Sequence, residues 1–547
     1  MDPSKPSVEA LAVVLFGVAV VLLGLWPWPL HPSQLLGEPD GEMSQHMAML
    51  WKALQADGAW MNWPVGFEVP VQDKVHIPVA ALAYLVDPAL APALILGLNL
   101  GLAYAGGWLL SRELGADRLA SVIGGTVLGT APFLGAMGTF GFTECLPLGL
   151  LALHAWALLR LARTGALRDA LLSAVLLALY ALSGWYLALF GLFAVPVLLL
   201  LCAQRSPSPR TWALILGQGL LAALLVSPAA WDFAVNDKAS YLLTQRELPP
   251  YGAGGPGEPS VLLDWRHGLD YGADPLNYVL PSASSVPLSR STYLGLVALA
   301  LGLMSLRHRT GRLLGLGVAL FCTLGLGHYL GLAGRPLLGG QPLPTPVALM
   351  TWVLDPLRAI QHWYRAAGVA MVFLAPMAAL ALPRPRYRAL LLALLVGADG
   401  LLLSDNPWPR STGHGPPPQE ILDIPGEGAL LMLPFADGAR GGIERTQQRW
   451  LPYLRRPIAE NYEGPDALMD NAFVAWAHNE CSVRRYSKAR RPADLQAPVQ
   501  ALREQGLEAI AVVIAQARWD KCERALVAGL GEPESGGPHV AWWRVAR

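Results

Sequence analysis

The chain has 547 residues, 53% of them hydrophobic and only 15% charged, with a formal net charge of +0 and a mean hydropathy of +0.38. A soluble domain carries about 25% charged residues, so the apolar excess points to a multi-spanning membrane protein. No basic stripe marks a nucleic-acid binder, no phosphate loop, zinc-type cysteine spacing or GxSxG elbow occurs, and five cysteines are too few for a disulfide scaffold.

The first apolar run, residues 8–30, has Trp26 and Trp28 at its end and lacks a small-residue cleavage site. It reads as a retained signal-anchor helix. Residues 35–54, "LLGEPDGEMSQHMAMLWKAL", follow. Glu38, Asp40 and Glu42 precede a pattern in which Met43, Met47, Leu50 and Leu54 recur every three or four residues, which predicts an amphipathic helix lying on the membrane. Further runs near the 20 residues a bilayer needs fall at 90–110, 119–137, 145–161, 170–182, 186–202, 212–230, 293–306, 313–332, 366–382 and 389–404. The expected total is about eleven spans.

Five short loops, "SRELGADR", "RLARTGALRD", "AQRSPSPR", "RHRTGR" and "RPRYR", are Arg-rich and fall at alternate junctions of these spans. The positive-inside rule puts them in the cytoplasm. The run 170–202 has such loops at both ends, so it must cross an even number of times, as a hairpin turning near Ser183 and Gly184. The N-terminus is then cytoplasmic, and the polar segments 31–86, 232–290, 334–365 and the tail from Asp405 all lie outside. The Pro/Gly-rich stretch 405–418 reads as a linker. Beyond it, "GALLMLPF", "LEAIAVVIAQ" and "HVAWWRVA" read as strands and "PADLQAPVQALREQG" as a helix with a glycine stop. The expected fold is an all-α polytopic membrane bundle over 1–404 with a small α/β C-terminal external domain over 419–547. Cys481 and Cys522 both fall in that tail and can pair if it lies outside the cytoplasm, although the sequence does not place them within bonding range.

The carboxylates are the chemical signal. Asp40 and Glu42 sit at the start of an amphipathic helix, where capping and the helix dipole alone account for a negative charge. Glu144, in "GTFGFTECLPLG", sits at the outer start of the fourth span, where a carboxylate is costly without a partner or a task. On one face of the membrane, Asp40, Glu42 and Glu144 can gather a divalent cation through oxygen ligands, or one of them can act as a general base.

This layout, together with the stretch 90–165 and the later "STYLGLVALALGLMSLRHR", "WVLDPLRAIQHWYRAAGVAMVFLAP" and "RRPIAENYEG", resembles the GT-C superfamily of integral-membrane glycosyltransferases, in particular its bacterial multi-pass members. The resemblance covers most of the chain and rests on layout. It implies transfer of a sugar from a lipid-phosphate-linked donor to an acceptor on the outer face of the inner membrane. It implies the role of base or metal ligand for Asp40, with Glu42 as its rival. It also implies a second acidic position at Glu144, as metal ligand with Asp40 if a cation such as Mg or Mn takes part. The oligosaccharyltransferase DxD pair and WWDxG motif are absent, which leaves metal dependence open.

Such chemistry needs cationic stabilisation of a leaving phosphate, and Arg358 and Arg365 of "LRAIQHWYR" are placed for it. Snorkelling to headgroups accounts for them equally. Asp73, Lys74 and His76 of "VQDKVHIP", Trp265 of "DWRHGLDYGADPLNY", and His362 are candidate contacts to acceptor or sugar; a solvated loop, turn chemistry and an interfacial histidine are the plainer readings. The alternative classes are a transporter or lipid flippase and a non-catalytic scaffold presenting the tail. Asp399 in "LLVGADGLLLS", a carboxylate deep in an apolar run, is the feature a transporter would use.

Overall fold

The structure, a computed structural model, describes residues 8–32, 34–36, 43–54, 73–236, 272–281, 291–333, 335–336, 343–354, 357, 360, 362–381, 386–404, 412–414, 416–433, 450–458, 471–481, 496–513, 517, 519–536 and 538–545. The chain divides into two units. One comprises Met1–Leu30, Gln72–Val75 and Ile95–Ser411; the other comprises His31–Val71, His76–Leu94 and Thr412–Arg547. Most of the first polar segment therefore groups with the tail rather than with the helices that flank it.

The first unit is helical, and a helix falls in every range where the sequence predicts a span. Six helices among the described residues are long and apolar enough to cross a membrane. The third expected span is made of two pieces, Ala120–Gly129 and Pro132–Phe140, because Pro132 has no N–H to continue the ladder. Gly141 closes it at φ 88°, a left-handed conformation that glycine adopts freely, and turns the chain into the short 3-10 turn Thr143–Cys145. The helices Leu167–Ser183 and Trp185–Ala203 form a hairpin about Gly184.

At the centre runs Ala366–Leu380, buried from Ala366 to Ala379. It packs against Arg309–Gly325, Ala120–Gly129 and Leu296–Ser305. Small residues permit this, as in other membrane bundles where backbones approach closely. A Cβ on Gly317 would stand 2.7 Å from the ring of Phe373, and one on Gly368 would stand 2.6 Å from that of Phe133. Phe373 in turn stacks on Phe321, with centroids 5.7 Å apart. Peripheral helices expose leucines instead, such as Leu216, Leu220 and Leu224, or Leu391 and Leu394, a surface suited to lipid.

The Arg-rich loops meet at one end of this bundle. Arg163 donates to both oxygens of Glu113, Arg205 reaches the Glu113 carbonyl, Thr310 bonds Gln204, and Arg307 donates to the carbonyl of Ala381 at 2.8 Å. Asp169 joins Arg160 at 3.2 Å.

In the second unit, Met43–Lys52 forms the expected helix. Its Met43, Met47, Met49, Leu50 and Trp51 are buried, so it is packed in protein where the sequence predicts a membrane-lying helix. The Tyr84 hydroxyl of Ile77–Val86 donates to the Met47 carbonyl at 2.7 Å, and Trp51 meets the Tyr84 ring edge-on. A tail sheet runs in the order 429–433, 507–513, 540–544, 535–536. Its first pair is parallel and the rest antiparallel. Cys481, ending the helix Ala472–Cys481, is disulfide-bonded to Cys522 of Trp519–Leu530, within an apolar cluster that includes Leu431, Phe473, Ile510 and Trp543. Arg456 pairs with Glu508 at 3.2 Å beside the sheet, and burial lowers its pKa below the ordinary guanidinium value.

Candidate functional site

Arg365 ends the 3-10 turn Trp363–Arg365 that opens the buried central helix. It is only 3% exposed. Its Nη1 donates to Glu144 Oε1 at 3.0 Å, and Glu144, from the turn that opens the fourth span, is 4% exposed. The guanidinium carbon lies 4.9 Å from the ring centroids of both Phe142 and Tyr186. A desolvated cation–π contact of this kind is worth up to about 2 kcal/mol, so the rings offset part of the cost of burying the charge.

Two turns build this arrangement. The Gly141 stop aims Phe142 and Glu144 inward. Gly184 lets the helical hairpin come against Glu144, since a Cβ there would stand 3.0 Å from the Glu144 carbonyl oxygen and 3.2 Å from its Cβ. The hairpin brings Tyr186 to the guanidinium. Cys145 donates weakly to Glu144 Oε1 at 3.7 Å. Beside Tyr186 lies half-buried His362, 5.9 Å between centroids, which also meets Tyr364 at 5.7 Å.

One group is left over. The Arg365 Nε–H is buried and has no hydrogen-bond partner among the described residues. Leaving such a donor unmet in a dry site costs about 1–3 kcal/mol, more for a charged group, so this nitrogen is the position where an added acceptor would gain most.

The site lies at the end of the bundle away from the Arg-rich loops. The 22-residue span Thr143–Thr164 starts beside Glu144 and ends at Arg163, about 30 Å further along at 1.5 Å per residue. The central helix likewise runs from Arg365 to the Ala381 carbonyl that Arg307 holds.

Asp40, Glu42, Arg358 and Trp265 lie outside the described residues. Glu144 and Arg365, which the sequence offers for a metal and a phosphate respectively, are brought together. Asp73 and His76 are buried and Lys74 is partly so. Among the described residues no three His, Cys, Asp or Glu side chains gather as a metal site would require, and Glu144 Oε1 already faces a guanidinium. Asp40, which the resemblance pairs with Glu144 as a metal ligand, lies outside the described residues. Phe142 and Tyr186 escape sequence reasoning, whereas Gly184 is found by it as the turn of the hairpin. The available signal was an aromatic within two residues of a helix-breaking glycine at two turns, "GFTEC" and "SGWY".

Asp399 has a different part. Its Oδ1 accepts from the Tyr293 hydroxyl at 2.6 Å and its Oδ2 from the Val297 N–H at 2.8 Å, while the Leu296 N–H bonds the Tyr293 oxygen at 3.0 Å. It caps the first turn of the neighbouring helix Leu296–Ser305 from outside that helix, and this accounts for a carboxylate at that depth without an ion pathway.

No protein-family model matches the sequence, and neither does any curated protein. Solved structures do. Arabinofuranosyltransferase AftD from Mycobacteria aligns over 98% of this chain at TM-score 0.56 and 16% identity; the chain spans 40% of the length of AftD. The oligosaccharyltransferase AglB from Archaeoglobus fulgidus aligns over 96% of this chain and 71% of its own, with TM-score 0.43 and 13% identity. ArnT from Cupriavidus metallidurans aligns over 99% of both chains, with TM-score 0.41 and 12% identity. The likeness to AftD is one of fold, and the fold is of the GT-C type.

Proposed function

We propose that this GT-C-fold chain is a membrane glycosyltransferase that moves a sugar from a polyprenyl-phosphate carrier to an acceptor at the outer face of a bacterial inner membrane. The observation that carries the reading is the buried Arg365, placed at the bundle end away from the Arg-rich loops with its Nε–H unmet among the described residues. A cation so prepared suits a phosphate oxygen, which guanidinium edges bind through paired N–H donors. The likeness in fold to an arabinofuranosyltransferase agrees with sugar transfer.

In the proposed step the acceptor oxygen forms a bond to the anomeric carbon. The bond between that carbon and the phosphate oxygen breaks, the carrier phosphate leaves with the electron pair, and the acceptor proton passes to a carboxylate. Arg365 stabilises the charge that develops on the phosphate. Asp40 is the proposed base, with Glu42 as its rival. The Cys481–Cys522 disulfide supports placing the tail in an oxidising compartment, in keeping with the side that the positive-inside reading expects for it.

The test uses the full chain in proteoliposomes supplied with a panel of radiolabelled polyprenyl-phosphate sugars. Asp40→Asn keeps the capping ability, because Asn caps about as well as Asp, but removes the basicity. Turnover is expected to fall by roughly 10²–10⁴-fold, the usual contribution of a positioned acid or base, with normal protein level. Wild-type turnover in both D40N and E42Q would remove the catalytic assignment.

A further inference from the structure

We propose that Glu144 sets how tightly Arg365 holds a phosphate, acting as a resident counter-charge that keeps the carrier phosphate from being trapped. The inference rests on Arg365 being the phosphate contact.

Three observations support it. First, Glu144 engages a single nitrogen of the guanidinium, Nη1, and leaves the Nε–H unmet among the described residues. The cation is thus shared, with one anion in place and room in its donor set for a second. Secondly, the guanidinium is fixed. Phe142 and Tyr186 both lie 4.9 Å from it, so an arriving phosphate meets Arg365 already oriented. Thirdly, Glu144 is fixed too. Its carbonyl and Cβ stand so close to Gly184 that a single methyl there would meet both, and Cys145 donates to the same Oε1 that Arg365 holds.

Two anions on one buried cation repel each other. At separations of about 6 Å and the effective dielectric of a partly buried site, that repulsion amounts to one to two orders of magnitude in affinity. A transferase needs such a limit, because its leaving group is a lipid phosphate that must leave the site before the next donor enters. A lone buried Arg would bind that product most tightly, and the resident carboxylate weakens the hold without moving the guanidinium.

The test measures binding of radiolabelled decaprenyl monophosphate, with decaprenol as the uncharged comparison, to the full chain in phosphatidylcholine nanodiscs containing a chelator. Glu144→Gln keeps an oxygen acceptor for Nη1 and removes the charge. It should tighten decaprenyl monophosphate about tenfold and leave decaprenol unchanged. Glu144→Asp keeps the charge on a shorter stem and should stay within about threefold of wild type, which separates charge from packing. Unchanged or weaker monophosphate binding in E144Q overturns the proposal, as does equal tightening in E144D. A loss in E144Q that appears only without chelator would mark Glu144 as a metal ligand and also overturns it. The E144Q/R365Q double variant, a neutral pair of similar shape, tests the underlying reading separately. It should bind monophosphate no better than decaprenol; if it keeps the wild-type preference, Arg365 is not the phosphate contact and the whole assignment falls.

Discussion

Replacing Asp399 by leucine should weaken the bundle more than most single changes at its periphery. The carboxylate is 3% exposed and accepts from the Tyr293 hydroxyl and the Val297 N–H. Leucine removes both acceptors and leaves two donors facing apolar side chains. At about 1–3 kcal/mol for each unmet buried donor, the expected loss is about 4 kcal/mol. Asparagine should cost less, about 1–2 kcal/mol, because its carbonyl can take the Val297 N–H and its amide can donate to the tyrosine oxygen, though without charge assistance. Tyr293→Phe should cost a similar amount, and combined with D399N it should cost less than the sum, since the two share one hydrogen bond. Reversible unfolding in mixed SDS micelles measures all four variants. A leucine variant as stable as wild type would refute the cap. So would D399N with wild-type stability and abolished sugar transfer, because that pattern belongs to a functional carboxylate.

Cys481 and Cys522 are 41 residues apart, and a bridge closing a loop of that length stabilises by up to about 4 kcal/mol on the chain-entropy account. The C481S/C522S full chain should therefore lose its tail to protease faster than wild type, and equal rates would show the bridge to be inconsequential. Gly317→Ala would set a methyl 2.7 Å from the Phe373 ring, overpacking the helix pair at about 1–3 kcal/mol. Phe373→Leu in the same chain should recover part of the loss, and no recovery would place the strain elsewhere.

The helices were legible because a bilayer demands long apolar runs, and such runs stand out in a chain with so little charge; six helices among the described residues are long and apolar enough to cross a membrane. The turn at Gly184 was legible too, from a run too long for one crossing with arginines at both ends. Pairings between distant segments were not. Glu144 and Arg365 are 221 residues apart, and each had a sufficient local explanation, a costly carboxylate at a helix start and a snorkelling arginine. Only the fold sets one against the other. The Met43–Lys52 helix was visible by its spacing, but the same stripe of Met and Leu that predicts a lipid-facing helix also suits one packed under Tyr84. Periodicity reports that a face is apolar and does not report what covers it.

Asp399 and Glu144 illustrate how architecture and chemistry separate once partners are known. Both are carboxylates in or beside apolar runs, and both invite a functional reading in sequence. Asp399 is matched: each oxygen has a donor, and those donors are a helix terminus and a tyrosine that need an acceptor there to fold. Glu144 faces a cation that it only partly satisfies. Arg365 keeps a buried N–H with no acceptor among the described residues, at the mouth of a helix rather than within a run. A charge whose partners are complete stabilises the structure that holds it. One whose donor set stays open at a cost of about 1–3 kcal/mol is better explained by something that arrives, which is why the arginine and not the deeper aspartate marks the site.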